Sequence, residues 1–404
     1  MDRRTFLKAA GLTTLSMVSS LNPFGLWAWS QESGNGKKLV VVFLRGAVDG
    51  LSVLIPSADS RYYDLRPNIA IPEPGRPGGA LPLNQRFGLH PALESLYPMW
   101  RSKALTFYPC TGLPTASRSH FDAQEYMESG TPGKKSTIDG WMNRLLKVLP
   151  GGHTPTQAVN FGPTIPRILS GKETVANISA GRQMTRRLPT DSPVVQAGFD
   201  SLYTGSDPIS QAYREAQAAR KTILSHAQQD DREQAMANNG ASLPNQFVTT
   251  AQSAARLIRQ DRGLKVCFMA VGAWDTHINQ GGTNGPLARN LKQLGEGLAA
   301  LYQGLGAERD NTTIVVMSEF GRTVKENGNG GTDHGHGNVM WVLGGNSPGG
   351  RIVGEWPGLS QSALFEGRDL PVLKDYRAVL TGVMLSQLDL SPHQVQTVFP
   401  GFMG

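Results

Sequence analysis

Five short runs of apolar residues most constrain what this chain can fold into: 39–44, 104–109, 265–271, 312–317 and 339–343. The first, Leu39 through Leu44, is a continuous stretch of β-formers, which fits a strand buried on both faces. Between the runs lie segments of helical character, at 91–103, 120–129, 137–149, 209–237, 244–261, 286–306 and 374–388. In 286–306, Leu287, Leu291, Leu294, Leu298 and Leu301 recur at spacings of three and four and so share one helix face. Buried strands alternating with amphipathic helices predict an α/β fold, a mostly parallel central sheet flanked by helices. The stretch 187–262 is polar and rich in Ala and Gln, and is expected to form a helical insertion or cap. No internal repeat or clean boundary divides the rest.

Open α/β sheets place their chemistry just beyond the carboxyl ends of the strands, so the residues immediately after each run are informative. After 39–44 comes Arg45-Gly46-Ala47-Val48-Asp49-Gly50, and after 104–109 a loop with Thr115, Ala116, Ser117, Arg118, Ser119 and His120. After 265–271 comes Trp274-Asp275-Thr276-His277, and after 312–317 comes Ser318-Glu319-Phe320-Gly321-Arg322. A glycine-rich loop then reaches Asp333-His334-Gly335-His336 just before 339–343. Three of the eight histidines fall in the two clusters around Asp275 and Asp333. Carboxylates with imidazoles are the ligand set of a divalent cation: zinc or manganese by the imidazole nitrogens, with calcium the harder alternative. His90, just before a helical segment, reads instead as a structural hydrogen-bonding residue.

Composition excludes several classes. Two cysteines rule out a disulfide scaffold and any Cys-rich zinc module. Cys110 and Cys267 both sit at apolar runs, which predicts buried thiols in neighbouring strands, with a disulfide between them the alternative in an oxidising compartment. The 47 glycines and 26 prolines follow no collagen-like period and imply long structured loops. The net charge of +7 comes partly from Arg3, Arg4 and Lys8, and no stripe of Lys and Arg interleaved with aromatics points to nucleic acid.

The run Arg3-Arg4-Thr5-Phe6-Leu7-Lys8, followed by a mildly apolar stretch to about Leu26, resembles a twin-arginine export signal. Glycine, serine and threonine interrupt that stretch, so a stable membrane anchor is not expected, and Ala28-Trp29-Ser30 places cleavage near Gln31. The resemblance implies passage through the twin-arginine export machinery to the periplasm, leaving residues 31–404 as one domain.

A second resemblance covers about residues 38–400. The blocks Leu39–Leu51, Ser117–Gly130, Trp274–His277, Ser318–Thr323 and Gly331–Gly337 resemble the exported bacterial domain-of-unknown-function proteins of the alkaline phosphatase and sulfatase superfamily. That implies an alkaline-phosphatase-like fold with a metal site at the carboxyl edge of its sheet, and a hydroxyl nucleophile at a helix start. By position, Asp49 matches the first-strand metal aspartate, and Asp275 with His277 the Asp-and-His pair. Glu319 stands where relatives have the Asp of an Asp-His-Gly motif, with Phe320 in place of the histidine. Asp333, His334 and His336 supply the remaining ligands. Four residues before His120 stands Ala116, which cannot attack, so Ser117 becomes the candidate nucleophile, with Thr115 and Ser119 beside it. Arg45, Arg118 and Arg322 are candidates to hold a phosphate or sulfate oxygen. The implied activity is metal-dependent hydrolysis of a small anionic ester. A relative that keeps the metal but binds a ligand or an envelope protein partner without turnover is the alternative.

Overall fold

The computed structural model describes residues 36–151, 154–162, 164–178, 193–218, 246–345 and 348–403. The export-signal reading at Arg3–Lys8 lies outside the described residues. So do 179–192 and 219–245, which make up much of the segment read as an insertion.

The main sheet contains β1 (Lys38–Leu44), β2 (Leu105–Gly112), β3 (Ala158–Phe161), β4 (Ala176–Ile178), β5 (Val266–Val271), β6 (Thr312–Ser318), β7 (Asn338–Gly344), β8 (Arg351–Ile352) and β9 (Lys374–Asp375). Its order is β8-β2-β7-β6-β1-β5-β3-β4, with β9 also pairing on β2. Every pairing is parallel except those of β7, which runs antiparallel to β6 and β2. The chain therefore has the mixed α/β architecture expected, with a mostly parallel sheet. The principal helices are α1 (His120–Ser129), α2 (Trp141–Val148), α3 (Gln246–Gln260), α4 (Pro286–Gly304), α5 (Tyr376–Gln387) and α6 (Pro392–Val398). The segment read as a helix at 91–103 is a 3-10 turn, Pro91–Leu96, running into a short α-helix, Tyr97–Arg101.

Strand β1 explains the layers. Its side chains alternate across the sheet. Val40, Val42 and Leu44 pack with the α3 residues Ala251 and Leu257 and with the leucine face of α4. Leu39, Val41 and Phe43 pack with Trp141 and Leu145 of α2, Leu380 of α5 and Val398 of α6. Each fully buried Val, Leu or Phe contributes roughly 1.5–3 kcal/mol of transfer free energy, and the whole of β1 is buried. Helix α3, at the end of the polar stretch 187–262, thus belongs to a layer covering the sheet.

Leu44 of β1 pairs with both Val271 and Ser318, so β1, β5 and β6 end level. Because β7 is antiparallel, its start lies at that same edge. The glycine-rich loop before it therefore reaches the sheet's carboxyl edge although it precedes a strand. The two cysteines are free and buried, but not in neighbouring strands. Cys110 is in β2 and Cys267 in β5, with β7, β6 and β1 between them. Burial pushes the Cys110 thiol up to about 12 and raises Cys267 as well. Among the described residues no helix is long and apolar enough to cross a membrane.

Candidate metal centre

Four chain segments meet at this edge. Helix α1 starts there: the Ser119 hydroxyl accepts from Asp122 N at 3.4 Å, which caps the helix and leaves His120 as its first residue. The loop after β5 carries Asp275 and His277 and is anchored by buried Trp274, whose Nε1 donates to the Val271 carbonyl at 2.9 Å. The loop after β6 carries Glu319 and Arg322. The loop before β7 carries Asp333 and His334 and is laced to the β6 loop by backbone bonds from Gly335 N to Gly321 O (2.8 Å), Gly321 N to His336 O (2.9 Å) and Thr323 N to Asp333 O (2.9 Å).

These loops approach too closely for side chains at several glycines, Gly321 and Gly331 among them. A Cβ on Gly321 would stand 1.9 Å from the Gly337 carbonyl oxygen, and one on Gly331 would stand 2.4 Å from the His277 carbonyl. The glycines of this region thus permit backbone to lie directly on backbone.

Three imidazoles and one carboxylate converge. The Nε2 atoms of His120 and His277 each lie 3.0 Å from Nε2 of His334. Asp275 Oδ1 is 3.0 Å from His277 Nε2 and 3.3 Å from His334 Nε2, and its Oδ2 is 3.6 Å from His120 Nε2. The ligand atoms of His120, Asp275 and His334 all lie within 4.8 Å of one another. Asp275 is 44% exposed and His277 39%, so the cluster opens to solvent.

The outer nitrogen of each ring is occupied. His120 Nδ1 faces Glu319 Oε1 at 2.8 Å, His277 Nδ1 faces Asp333 Oδ1 at 3.3 Å, and His334 Nδ1 faces the Arg118 carbonyl at 2.8 Å. All three partners only accept, so the Nδ1 atoms carry the protons and, in the neutral rings, the Nε2 atoms present lone pairs. Lone pairs 3.0 Å apart repel unless a cation sits among them. Imidazoles fixed from behind by carboxylates or a carbonyl and gathered beside a carboxylate are the donor set of a divalent ion such as zinc.

The electrostatics agree. Burial would raise the Asp275 carboxyl, but the Arg322 guanidinium, 2.7 Å from Oδ1, outweighs it and holds the group below the usual range. Glu319 has no solvent exposure, yet bonds from His120, Gln124 Nε2 (3.0 Å) and Gly46 N (2.8 Å) overcome that burial and keep it ionised. The bond to Glu319 raises His120, whereas burial, His120 and Arg322 lower His334.

The other expected site residues take other roles. Asp49 is buried and locked to Arg66 by two bonds, Nη1 to Oδ2 at 2.6 Å and Nη2 to Oδ1 at 3.0 Å, with Ser52 and Gln280 also on Oδ2 at 2.7 Å. Its charge is spent on that pair, and the structure does not bring it to the cluster. His336 departs from the expectation too: it is buried against Phe365, ring centroids 4.5 Å apart. Glu319 and Asp333 stand behind histidines, so they orient rings instead of ligating. Arg322, fully buried, is spent on Asp275 and the Thr332 carbonyl. Arg118 pairs with Glu366 and Asp369, and Arg45 with Gln124 and Glu128. The Ser117 hydroxyl accepts from Ser119 N at 3.3 Å, a bond within its own loop.

Three residues that pattern reading passed over complete the frame. Gln124, four residues after His120 on α1, was findable from helical spacing. Gln280 accepts from Thr276 and Thr332 and so ties the two histidine loops together. Arg66 also donates to the carbonyls of Thr323 and Val324. No motif announces either of the last two.

A family model described as "Protein of unknown function (DUF1501)" matches residues 100–399. No curated protein matches the chain. Among solved structures, Ps i-CgsB in complex with k-i-k-neocarrahexaose is 11% identical, with 89% of this chain and 73% of that one covered and a TM-score of 0.41. The lipoteichoic acid synthase LtaP from Listeria monocytogenes is 10% identical over 81% and 71%, with a TM-score of 0.35. The C-terminal periplasmic domain of EcEptC from Escherichia coli is 10% identical over 78% and 75%, with a TM-score of 0.34.

Proposed function

The chain belongs to the DUF1501 family, and from that starting point we propose that it is a metal-dependent hydrolase of phosphate or sulfate esters with an alkaline-phosphatase-like fold, exported to the periplasm. One observation carries the reading: the ligand atoms of His120, Asp275 and His334 lie within 4.8 Å of one another, His277 Nε2 lies 3.0 Å from both His334 and Asp275, and each ring is held from behind. His120, His277, His334 and Asp275 would hold the ion. Bound there, a zinc or manganese ion supplies a Lewis acid that offsets charge developing on an ester oxygen.

The chain's own residues do the rest. Glu319 and Asp333 fix ring orientation and raise ligand basicity, which favours tight binding. Arg322 keeps Asp275 ionised and in place. The loop 117–119 abuts the centre through the Arg118 carbonyl, so a hydroxyl nucleophile from this chain would come from Ser117, whose Oγ still has its proton to donate. Export rests on Arg3–Lys8. A second reading, a metal-holding protein that binds an anionic ligand or an envelope partner without turnover, is favoured by Ala116 at the nucleophile position and by the engagement of Arg118 and Arg322 in internal ion pairs.

The test is elemental analysis of the purified protein together with assays of p-nitrophenyl phosphate and p-nitrophenyl sulfate, with and without chelator. The expected result is bound metal and chelator-sensitive turnover, reduced by Ser117→Ala. Stoichiometric metal with no turnover across a broad ester panel would sink the hydrolase reading in favour of the second one.

A further inference from the structure

Beside the metal centre, a cleft of about 450 Å³ runs along α1 between that helix and the loop after β3. Its wall on α1 carries Phe121, Gln124, Glu125 and Glu128. With a rise of about 1.5 Å per residue, Gln124 lies roughly 6 Å and Glu128 roughly 12 Å along the axis from His120. The cleft thus starts one helical turn from a residue of the metal cluster. The two are joined by Gln124, which donates to Glu319 and accepts from Arg45 Nη1 at 2.9 Å. A group bonded to a reacting centre at the histidines would extend into this space.

The cleft's charges cancel in pairs. Arg45 is bonded to Glu128 at 2.5 Å, and Arg167, on the opposite wall, to Glu125 at 3.1 Å. Two guanidiniums and two carboxylates give no net charge, so a second anionic group gains nothing here. Paired ions and the Gln124 and Asn160 amides still offer donors and acceptors to hydroxyls. The rim is different. Phe121 is 82% exposed and Ile138 84%. Ile165, half-exposed, lies between the lining residues Thr164 and Pro166, and Arg167 Nη1 donates to the Ile138 carbonyl at 2.8 Å. Large apolar side chains standing this far into water around a cleft that combines paired ions with Phe161, Pro166, Phe268 and Ala270 mark a binding surface.

We propose that this cleft receives the alcohol portion of the ester and selects a neutral, amphiphilic alcohol: hydroxyls for the paired ions and amides, an apolar stretch for Phe121, Ile138 and Ile165. The inference rests on the hydrolase reading and names its substrate class, an anionic ester of such an alcohol as opposed to a polyanion. Its test is calorimetric titration with n-octyl β-D-glucoside below its micellar concentration, with tripolyphosphate as the charged comparison and methyl β-D-glucoside as the head group alone. The wild type is expected to bind octyl glucoside at least about tenfold more tightly than methyl glucoside. The variant Phe121→Ser/Ile165→Ser is expected to lose that advantage, to keep the wild-type circular dichroism, and to turn over p-nitrophenyl esters with a raised KM and an unchanged kcat. Turnover of those esters by a wild type that does not bind octyl glucoside, or binding unchanged in the double variant, overturns the inference and leaves the hydrolase reading standing. Octyl glucoside binding that the double variant loses, in a protein that turns over no ester, overturns the hydrolase reading and with it the assignment of the cleft to a leaving group.

Discussion

His120, His277 and His334 are held from behind in three different ways, and the difference predicts how much each support matters. Glu319 is wholly buried and takes its place through four partners, whereas Asp333 is 55% exposed and shares its carboxylate with Asn327. Glu319→Ala is therefore expected to weaken zinc binding about 10–100-fold, and Asp333→Ala less, as read by competition against a chromophoric chelator. His90 makes a different prediction. Its Nδ1 accepts from Ala92 N at 3.0 Å, capping the 3-10 turn, and burial lowers it to about 4. The folded state favours the neutral ring, so its contribution is full above the unfolded value near 6.5 and is lost as pH falls toward 4. Linkage puts that loss on the order of 3 kcal/mol. Thermal melts between pH 7 and 4 should fall less steeply for His90→Gln than for the wild type.

At the scale of elements, the site depends on loops lying directly on one another. Gly321→Ala must push its Cβ away from the Gly337 carbonyl, which separates the β6 loop from the one carrying His334. The expected cost is about 1–3 kcal/mol of stability with a disproportionate loss of metal, seen by comparing denaturant midpoints with metal content. The sequence patterns made the elements readable because buried parallel strands are continuous apolar runs: 39–44 and 312–317 are β1 and β6, and His120–Ser129 is α1 residue for residue. They made Asp275, His277 and His334 readable because these residues sit where strands end or begin at one edge. What they left hidden has a physical cause. The partner of Asp49 is Arg66, 17 residues on in a region without periodic signal, and a side chain's partner is set by tertiary packing. The same holds for His336, two residues from His334 in the same loop yet turned to Phe365. His120 was legible as chemistry but not as part of the metal cluster, because its neighbours Glu319 and His334 are about 200 residues away.

At the scale of the whole molecule, one sheet edge gathers three histidines and Asp275 from segments spread between residues 120 and 334, and the fold holds their Nε2 atoms together against mutual repulsion. An ion that binds only the folded state stabilises it by mass action, so chelator should lower the melting temperature of the loaded protein and zinc should restore it. The most direct measurement is a calorimetric zinc titration of metal-free wild type and His334→Ala, each shown by circular dichroism to be folded. The prediction is one zinc per wild-type chain. The variant should bind at least about 100-fold more weakly, beyond what losing a support behind a ligand produces. A wild type that takes up no zinc, or a variant that binds as tightly as the wild type, would contradict a metal centre built on these residues.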